Sequence, residues 1–323
     1  MTSALAWLVV RRLIYGIPLV AVIAVLTFIL VRMAPGDPAM LLAGDAPTPQ
    51  FLAQIRAEYG LDKPLLHQLL IYLSQFAQGD LGTSIYYQRP VLDMILQHFP
   101  VTWLLVGASM ALASMVGCVA AVQAARYRNR SADAFVSASA LVGFSLPTFW
   151  LGQLLVLFFA VHLGWFPTGG MGSVRYDYTG FAYVLDVMWH MVLPILTLLL
   201  FEVALVARYT RTAMLEALDK DFIVVAYAKG ASTSRVLWRH AFPNALGTTV
   251  TVIGLEFGIL LAGAVVTEII YGWPGIGRLF VDAVYRRDFP LLTGCFLFTS
   301  TVVVLVNIVT DVVVAILDPR ATR

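Results

Sequence analysis

A chain of 323 residues that is 60% hydrophobic and 12% charged, with a mean hydropathy of +0.83, lies far from a soluble domain, in which about 25% of residues carry charge. These numbers describe an integral membrane protein, and the formal charge of +2 excludes nothing further. The two cysteines, Cys118 and Cys295, stand inside apolar runs, which argues against a disulfide framework or a thiolate metal site.

Six stretches are long enough to cross a hydrocarbon layer of about 30 Å. They run roughly over Leu13–Val31, Val101–Ala125, Ala134–Val161, Val187–Ala207, Thr248–Ile270 and Leu291–Leu317, so the expected fold is an all-α membrane protein with six transmembrane helices. The first stretch lacks a small-residue cleavage site and reads as a retained helix that also targets the chain. The natural divisions are an N-terminal tail and first helix (1–31), a helical segment (32–100), and a five-helix core (101–323).

The segment Arg32–Pro100 carries helix signals. Asp37 caps a helix whose first position is Pro38, Thr48-Pro49 repeats that arrangement, and Gly60 closes the helix through Gln54 and Glu58. Pro64–Gln78 is amphipathic and ends at Gly79, and Asp80–Ser84 reads as a turn. In the second stretch Ser109, Ala113, Gly117, Ala121 and Ala125 recur every four residues, as do Gly254, Gly258 and Ala262 in the fifth. Small faces let helices approach closely in lipid, within one chain first and between subunits second.

Ser145-Leu-Pro-Thr-Phe-Trp150 puts Pro147 inside the third helix, where the freed backbone needs protein or water around it. Ser145, Pro147 and Trp150 are therefore expected to face the bundle interior and a solute route. Pro194 is expected to kink the fourth helix. His190 reads as a satisfied interfacial histidine before it reads as a metal ligand.

Asp221–Leu246 is the longest polar interruption in the C-terminal half, within a link that runs over 208–247. Asp221 caps two turns over Phe222–Lys229, and Gly230 fits the left-handed position after them. Ser232 caps a second helix that Pro243 ends. Val236, Leu237, His240 and Ala241 share one of its faces, Arg235 and Arg239 another. Such a helix can lie on lipid or in a groove of another protein.

Glu202, Glu256, Glu268 and Asp311 stand within or near the ends of apolar stretches, where a carboxylate is costly unless paired or wet. Glu256 is the deepest and the best candidate for a solute pathway, against a structural pair. Glu202 reads as structural, within reach of Arg208 or Tyr209, and Glu268 and Asp311 as groups near the water without a special role. Gly272-Trp-Pro-Gly-Ile-Gly277 is a tight turn and no nucleotide loop, because no Lys-Ser/Thr follows it. No P-loop, GxSxG, GxGD or HExxH motif occurs, so the chain has no visible means of hydrolysing ATP or a peptide bond.

Arg11 and Arg12 precede the first stretch, Arg126, Arg128 and Arg130 fill the second link, and Arg208, Arg211, Lys220, Lys229, Arg235 and Arg239 fill the fourth. The third link carries only Arg175. The positive-inside rule then puts both termini and Asp221–Leu246 in the cytoplasm and 32–100 outside, with Arg278, Arg286 and Arg287 as an exception.

Ala226-Tyr-Ala-Lys-Gly230 followed by Arg239-His-Ala-Phe-Pro-Asn-Ala-Leu246 resembles the cytoplasmic "EAA" loop of ABC-importer permease subunits, in the form of the dipeptide/oligopeptide/nickel branch. Ala34-Pro-Gly-Asp-Pro38, Gly79-Asp-Leu-Gly82, Phe144–Trp150, Trp165-Phe-Pro167, Tyr271-Gly-Trp-Pro-Gly275 and Leu317-Asp-Pro-Arg320 agree in order, so the resemblance covers nearly the whole chain. It implies a type I ABC importer permease fold in the bacterial inner membrane, paired with a second, similar permease. It also implies two cytoplasmic ATPases that carry ATP and Mg, an external solute-binding protein, contact with membrane lipid, no cofactor on this chain and no nucleic acid.

By the same resemblance, ATPase coupling falls on Asp221, Phe222, Val225, Ala226, Ala228, Lys229, Gly230, His240 and Pro243. Ala226 and Gly230 match the motif's second alanine and its glycine, and Phe242-Pro243 its end, with Phe for Leu. Val224 and Val225 replace the acidic residue and first alanine of the general pattern, so an acidic contact to the ATPase is not implied. The implied solute is a di- or oligopeptide, with nickel or another small solute as the alternative. A self-contained secondary transporter is the rival from another class. It would need coupling-ion residues, work without ATPases and typically show an inverted repeat, which this sequence lacks by eye.

Overall fold

The computed structural model describes residues 2–33, 40, 48–58, 62–127 and 146–317. The described residues are helical apart from turns and one isolated bridge between Thr83 and Pro90. The helices are α1 (Thr2–Met33), α2 (Pro49–Glu58), α3 (Leu65–Ala77), α4 (Val91–Arg126), α5 (Thr148–Leu155, continued by a π-helical Val156–His162) and α6 (Gly180–Leu218). They continue with α7 (Asp221–Ala228), α8 (Thr233–Arg235, continued by a π-helical Val236–Ala241), α9 (Phe242–Gly263), α10 (Val265–Ile270), α11 (Ile276–Arg286) and α12 (Phe289–Leu317).

Five of the described helices are long and apolar enough to cross a membrane. The remaining expected span is visible only from Thr148 to His162, because 134–145, with Ser145 and the start of the Phe144–Trp150 motif, lie outside the described residues. So do Asp37-Pro38, Gly60, Arg128, Arg130 and 318–320. Helices α4 and α6 exceed their expected bounds and run through Pro100 and Pro194 without interruption. Pro147 is not inside a helix: it stands in extended conformation (φ −61°, ψ 127°) just before α5, a position where its missing N–H costs nothing.

Packing follows the small residues. Helices α4 and α6 lie parallel, and a Cβ on Gly117 would sit 2.9 Å from Val206. Ser109, Ala113, Gly117, Ala121 and Ala125 are all buried in this contact, so the stripe serves packing within the chain. Helix α9 runs antiparallel to α6, with Thr210 and Thr249 hydrogen-bonded at 3.0 Å. Gly254 and Gly258 admit α12 through Thr310 and Val303, whereas Ala262 is exposed. Helix α1 completes the row against α12, with Arg12 paired to Asp311 at 2.9 Å. The core forms tiers: one at the α7 end around Met214 and Leu237, one midway around Leu105 and Leu260, and one at the α11 end around Ile95 and Leu291.

Candidate functional site

The stretch that breaks the apolar pattern folds as a helical elbow. Helix α6 continues to Leu218, well past its apolar part, and Asp219-Lys220 turns the chain into α7. The residue before α7 is Lys220, in extended conformation, so Asp221 is the first helical residue and not its cap. There its carboxylate still complements the helix N-terminus. At the other end Gly230 has φ +79°. Ala231 N–H donates to Ala226 C=O at 3.1 Å and Gly230 N–H to Tyr227 C=O at 2.9 Å. This pair of bonds is the Schellman arrangement, which closes a helix only through a left-handed residue.

Ser232 Oγ accepts from Arg235 N–H at 3.4 Å and starts the next helix. That helix does not end at Pro243, as its sequence suggests, but runs into the membrane as α9. The π-helical turns over Val236–Ala241 explain the difference. Phe242 N–H donates five residues back to Leu237 C=O, so the wider coil accommodates the proline ring and its missing donor. Asn244 Nδ2 donates to His240 C=O at 2.6 Å and satisfies a carbonyl there.

The elbow has two faces. Ile223 and Ala226 are buried against Met214, Ala217, Val236, Leu237 and Ala241. The opposite face presents Phe222, Val224, Val225 and Tyr227, with Val224 69% and Val225 52% exposed. Asp221, Ala228, Lys229, Gly230 and Pro243 are exposed and His240 is half-buried. Ala226, at 6% exposure, belongs to the chain's own core. The exposed apolar face of the elbow is therefore Phe222, Val225 and their neighbours.

The candidate pathway residues are less gathered. Glu256 is half-buried on α9. Trp150 is half-exposed on α5 and not in the interior, because Gly152, on nearly the opposite face, is the residue that packs on Thr197 and Ile270. Glu202 is buried at 2% exposure but bonds to neither expected partner; Arg208 lies instead over the Tyr209 ring at 4.9 Å. His190 Nδ1 meets Asp186 C=O at 2.8 Å, and Asp186 in turn accepts from Ser173, so this histidine is satisfied.

Two family models describe the chain. Residues 113–323 match "Binding-protein-dependent transport system inner membrane component", and residues 5–106 match the N-terminal model of the same membrane component. The chain belongs to this family of ABC importer permeases. Its relatives include the di/tripeptide transport system permease protein DppB of Pseudomonas aeruginosa, 41% identical over 97% of both chains. The glutathione transport system permease protein GsiC of Escherichia coli is 41% identical, covering 96% of this chain and 97% of the relative. A putative peptide transport system permease protein of Brucella abortus is 40% identical, covering 97% and 98%.

In this permease the α11 end holds a site that the sequence did not disclose. Glu268 was expected near water but is 0% exposed. Its Oε1 accepts from Thr102 Oγ at 2.5 Å and its Oε2 from Arg278 N–H at 3.0 Å, while Thr102 Oγ accepts from Ile276 N–H at 2.8 Å. The carboxylate thus caps α11 from α10, the helix just before it, with Thr102 of the distant α4 as intermediary, and stabilises its free N–H groups. Gly275 and Gly277 make this possible, since a Cβ at either would strike Glu268 or Val265. Trp273 fills the space behind and donates from Nε1 to Val101 C=O at 3.1 Å. Asp288 does the same for α12: it accepts from Ser84 Oγ at 2.5 Å, Tyr86 N–H at 3.1 Å and Leu291 N–H at 3.2 Å. Arg286 lies 3.7 Å over the Tyr86 ring. The permease thereby ties the Gly79–Ser84 turn to α12. The spacing of Ile276, Leu279 and Ala283 was the available signal for α11.

Proposed function

We propose that this permease is one of two similar transmembrane subunits of an ATP-driven importer of di- or oligopeptides. It has six spans, both termini and α7 in the cytoplasm, and 32–100 outside. Two ATPases bind ATP and Mg, an external binding protein delivers the solute, and this chain binds no cofactor of its own.

The observation that carries the reading is the outward face of α7. Phe222, Val224, Val225 and Tyr227 form an apolar surface at the end of the bundle rich in arginine and lysine. A helix held rigidly on the core through Ile223 and Ala226 suits docking in a groove of an ATPase, with Asp221, Ala228 and Lys229 at the rim. Gly230, His240 and Pro243 shape the elbow that passes motion on to α9. ATP binding then moves α7, and the bundle exchanges inward-open for outward-open shapes; coupling requires that the docked contact differ between them. Glu256, with Ser145, Pro147 and Trp150 on the third span, is assigned to the solute route. Peptides are the solute class favoured by two relatives, the di/tripeptide permease of Pseudomonas aeruginosa and the putative peptide permease of Brucella abortus.

The test is co-purification with an ATPase, followed by uptake of a labelled dipeptide into proteoliposomes. ATP-dependent uptake that needs the ATPase and the binding protein is expected. Uptake that survives loss of the ATPase overturns the reading in favour of a secondary transporter.

A further inference from the structure

Glu202 and Glu256 are brought together by a register that other residues set. The Thr210–Thr249 hydrogen bond pins α6 to α9. Because the helices are antiparallel, about two turns back along α6 and two turns on along α9 bring the two carboxylates level. Glu202 Oε2 is enclosed and has no hydrogen-bond partner among the described residues, and neither has the enclosed Ser114 Oγ on α4. The seating of Gly117 against Val206 places Ser114 at the level of Glu202. Neither carboxylate has an ion-pair partner among the described residues.

Carboxylates far from water and without a cation are costly, and natural membrane proteins keep them where a cation or a solute uses them. Glu256 is half-buried, and its neighbours Leu255 and Ile259 face outward, so the pair opens on the outer side of α9. Two carboxylates and a hydroxyl offer acceptors to a compact group with three N–H donors, which is the inventory of a primary ammonium. A metal ion is a poorer fit, because no group of three or more His, Cys, Asp or Glu among the described residues could hold one.

We propose that Glu202 and Glu256, with Ser114 beside them, form an ammonium site in the translocation route that receives the free α-amino group of a transported peptide. This deepens the reading of the chain as a peptide permease and rests on it. The binding protein selects the solute outside, and this site holds its charged end after release into the membrane.

The experiment uses the assembled transporter, both permeases with both ATPases, purified without its binding protein. A radiolabelled dipeptide is displaced by the same unlabelled dipeptide and, separately, by its N-acetylated form. The free amine is expected to displace at least roughly tenfold better, and Glu202→Gln and Glu256→Gln each to weaken binding roughly tenfold, since a hydrogen bond to a charged group is worth that much. Size-exclusion chromatography is expected to show both variants assembled. Equal displacement by the two forms, absence of displaceable binding in the wild type, or unchanged affinity in both variants overturns the proposal. A variant whose permease pair dissociates also overturns it, and assigns the carboxylates to a cationic side chain of the second subunit. ATP-driven uptake with the binding protein present is measured alongside. Its absence refutes the peptide reading, whereas uptake accompanied by displacement blind to the amine refutes the ammonium site alone.

Discussion

Glu268 shows how much one side chain can hold in place at the residue scale. Its two oxygens accept from Thr102 and from the Arg278 backbone, and Thr102 passes the bond on to Ile276 N–H. Removing the carboxylate leaves buried donors at the start of α11 without acceptors. Glu268→Ala is therefore expected to destabilise the purified permease by about 2 kcal/mol, the combined scale of a lost helix cap and an unsatisfied buried donor. Glu268→Gln retains one acceptor and is expected to cost less. Thr102→Val breaks the same chain from the other side, so its effect and that of Glu268→Ala should not add. Denaturation midpoints of the single and double variants in detergent check this, and additive losses would show that the two residues act separately.

Helix α7 is the element whose design the sequence discloses best, because its signals are local. Gly230 and Ser232 were readable as a stop and a start, and both act as such. Pro243 misled for an equally local reason: a proline normally ends a helix, but the π turns over Val236–Ala241 open the coil enough to admit it. Nothing in residue type announces such a turn. The conformational role of Gly230 can be separated from crowding, since a Cβ there meets nothing within 4 Å. Only its φ of +79° opposes a side chain. Replacement by Ala should cost about 1–2 kcal/mol, Asn less, and a β-branched residue more. Uptake is expected to fall in the order Gly, Asn, Ala, Val, with Gly230→Val inactive yet present in the membrane. Full uptake by Gly230→Val would remove the left-handed turn from the coupling argument.

At the scale of the whole molecule, the helices were legible as long apolar runs, but what they bring together was not. The bond between Thr102 and Glu268 joins residues 166 apart, and that between Ser84 and Asp288 joins residues 204 apart. Hydropathy carries no record of such register, so Glu268 looked idle and Glu202 looked within reach of Arg208 or Tyr209. The same limit applied to α7, where sequence grouped Ala226 with Val225 although the fold buries the first and exposes the second. That division yields a final prediction. Val225 is 52% exposed and Ala226 is packed in the core at 6%. Val225→Glu puts a charge on the outward apolar face without disturbing the chain's own packing, so the denaturation midpoint should not move. The ATPase should no longer co-purify, and ATP-driven uptake should be lost. Ala226→Leu instead forces methylenes into the cluster around Met214 and Leu237, an overpacking that costs typically 1–3 kcal/mol. Its midpoint should fall whether or not the ATPase is present. If Val225→Glu lowers the midpoint while leaving the ATPase bound, the outward face of α7 supports the fold and transmits nothing, and the docking surface must be sought elsewhere on the chain.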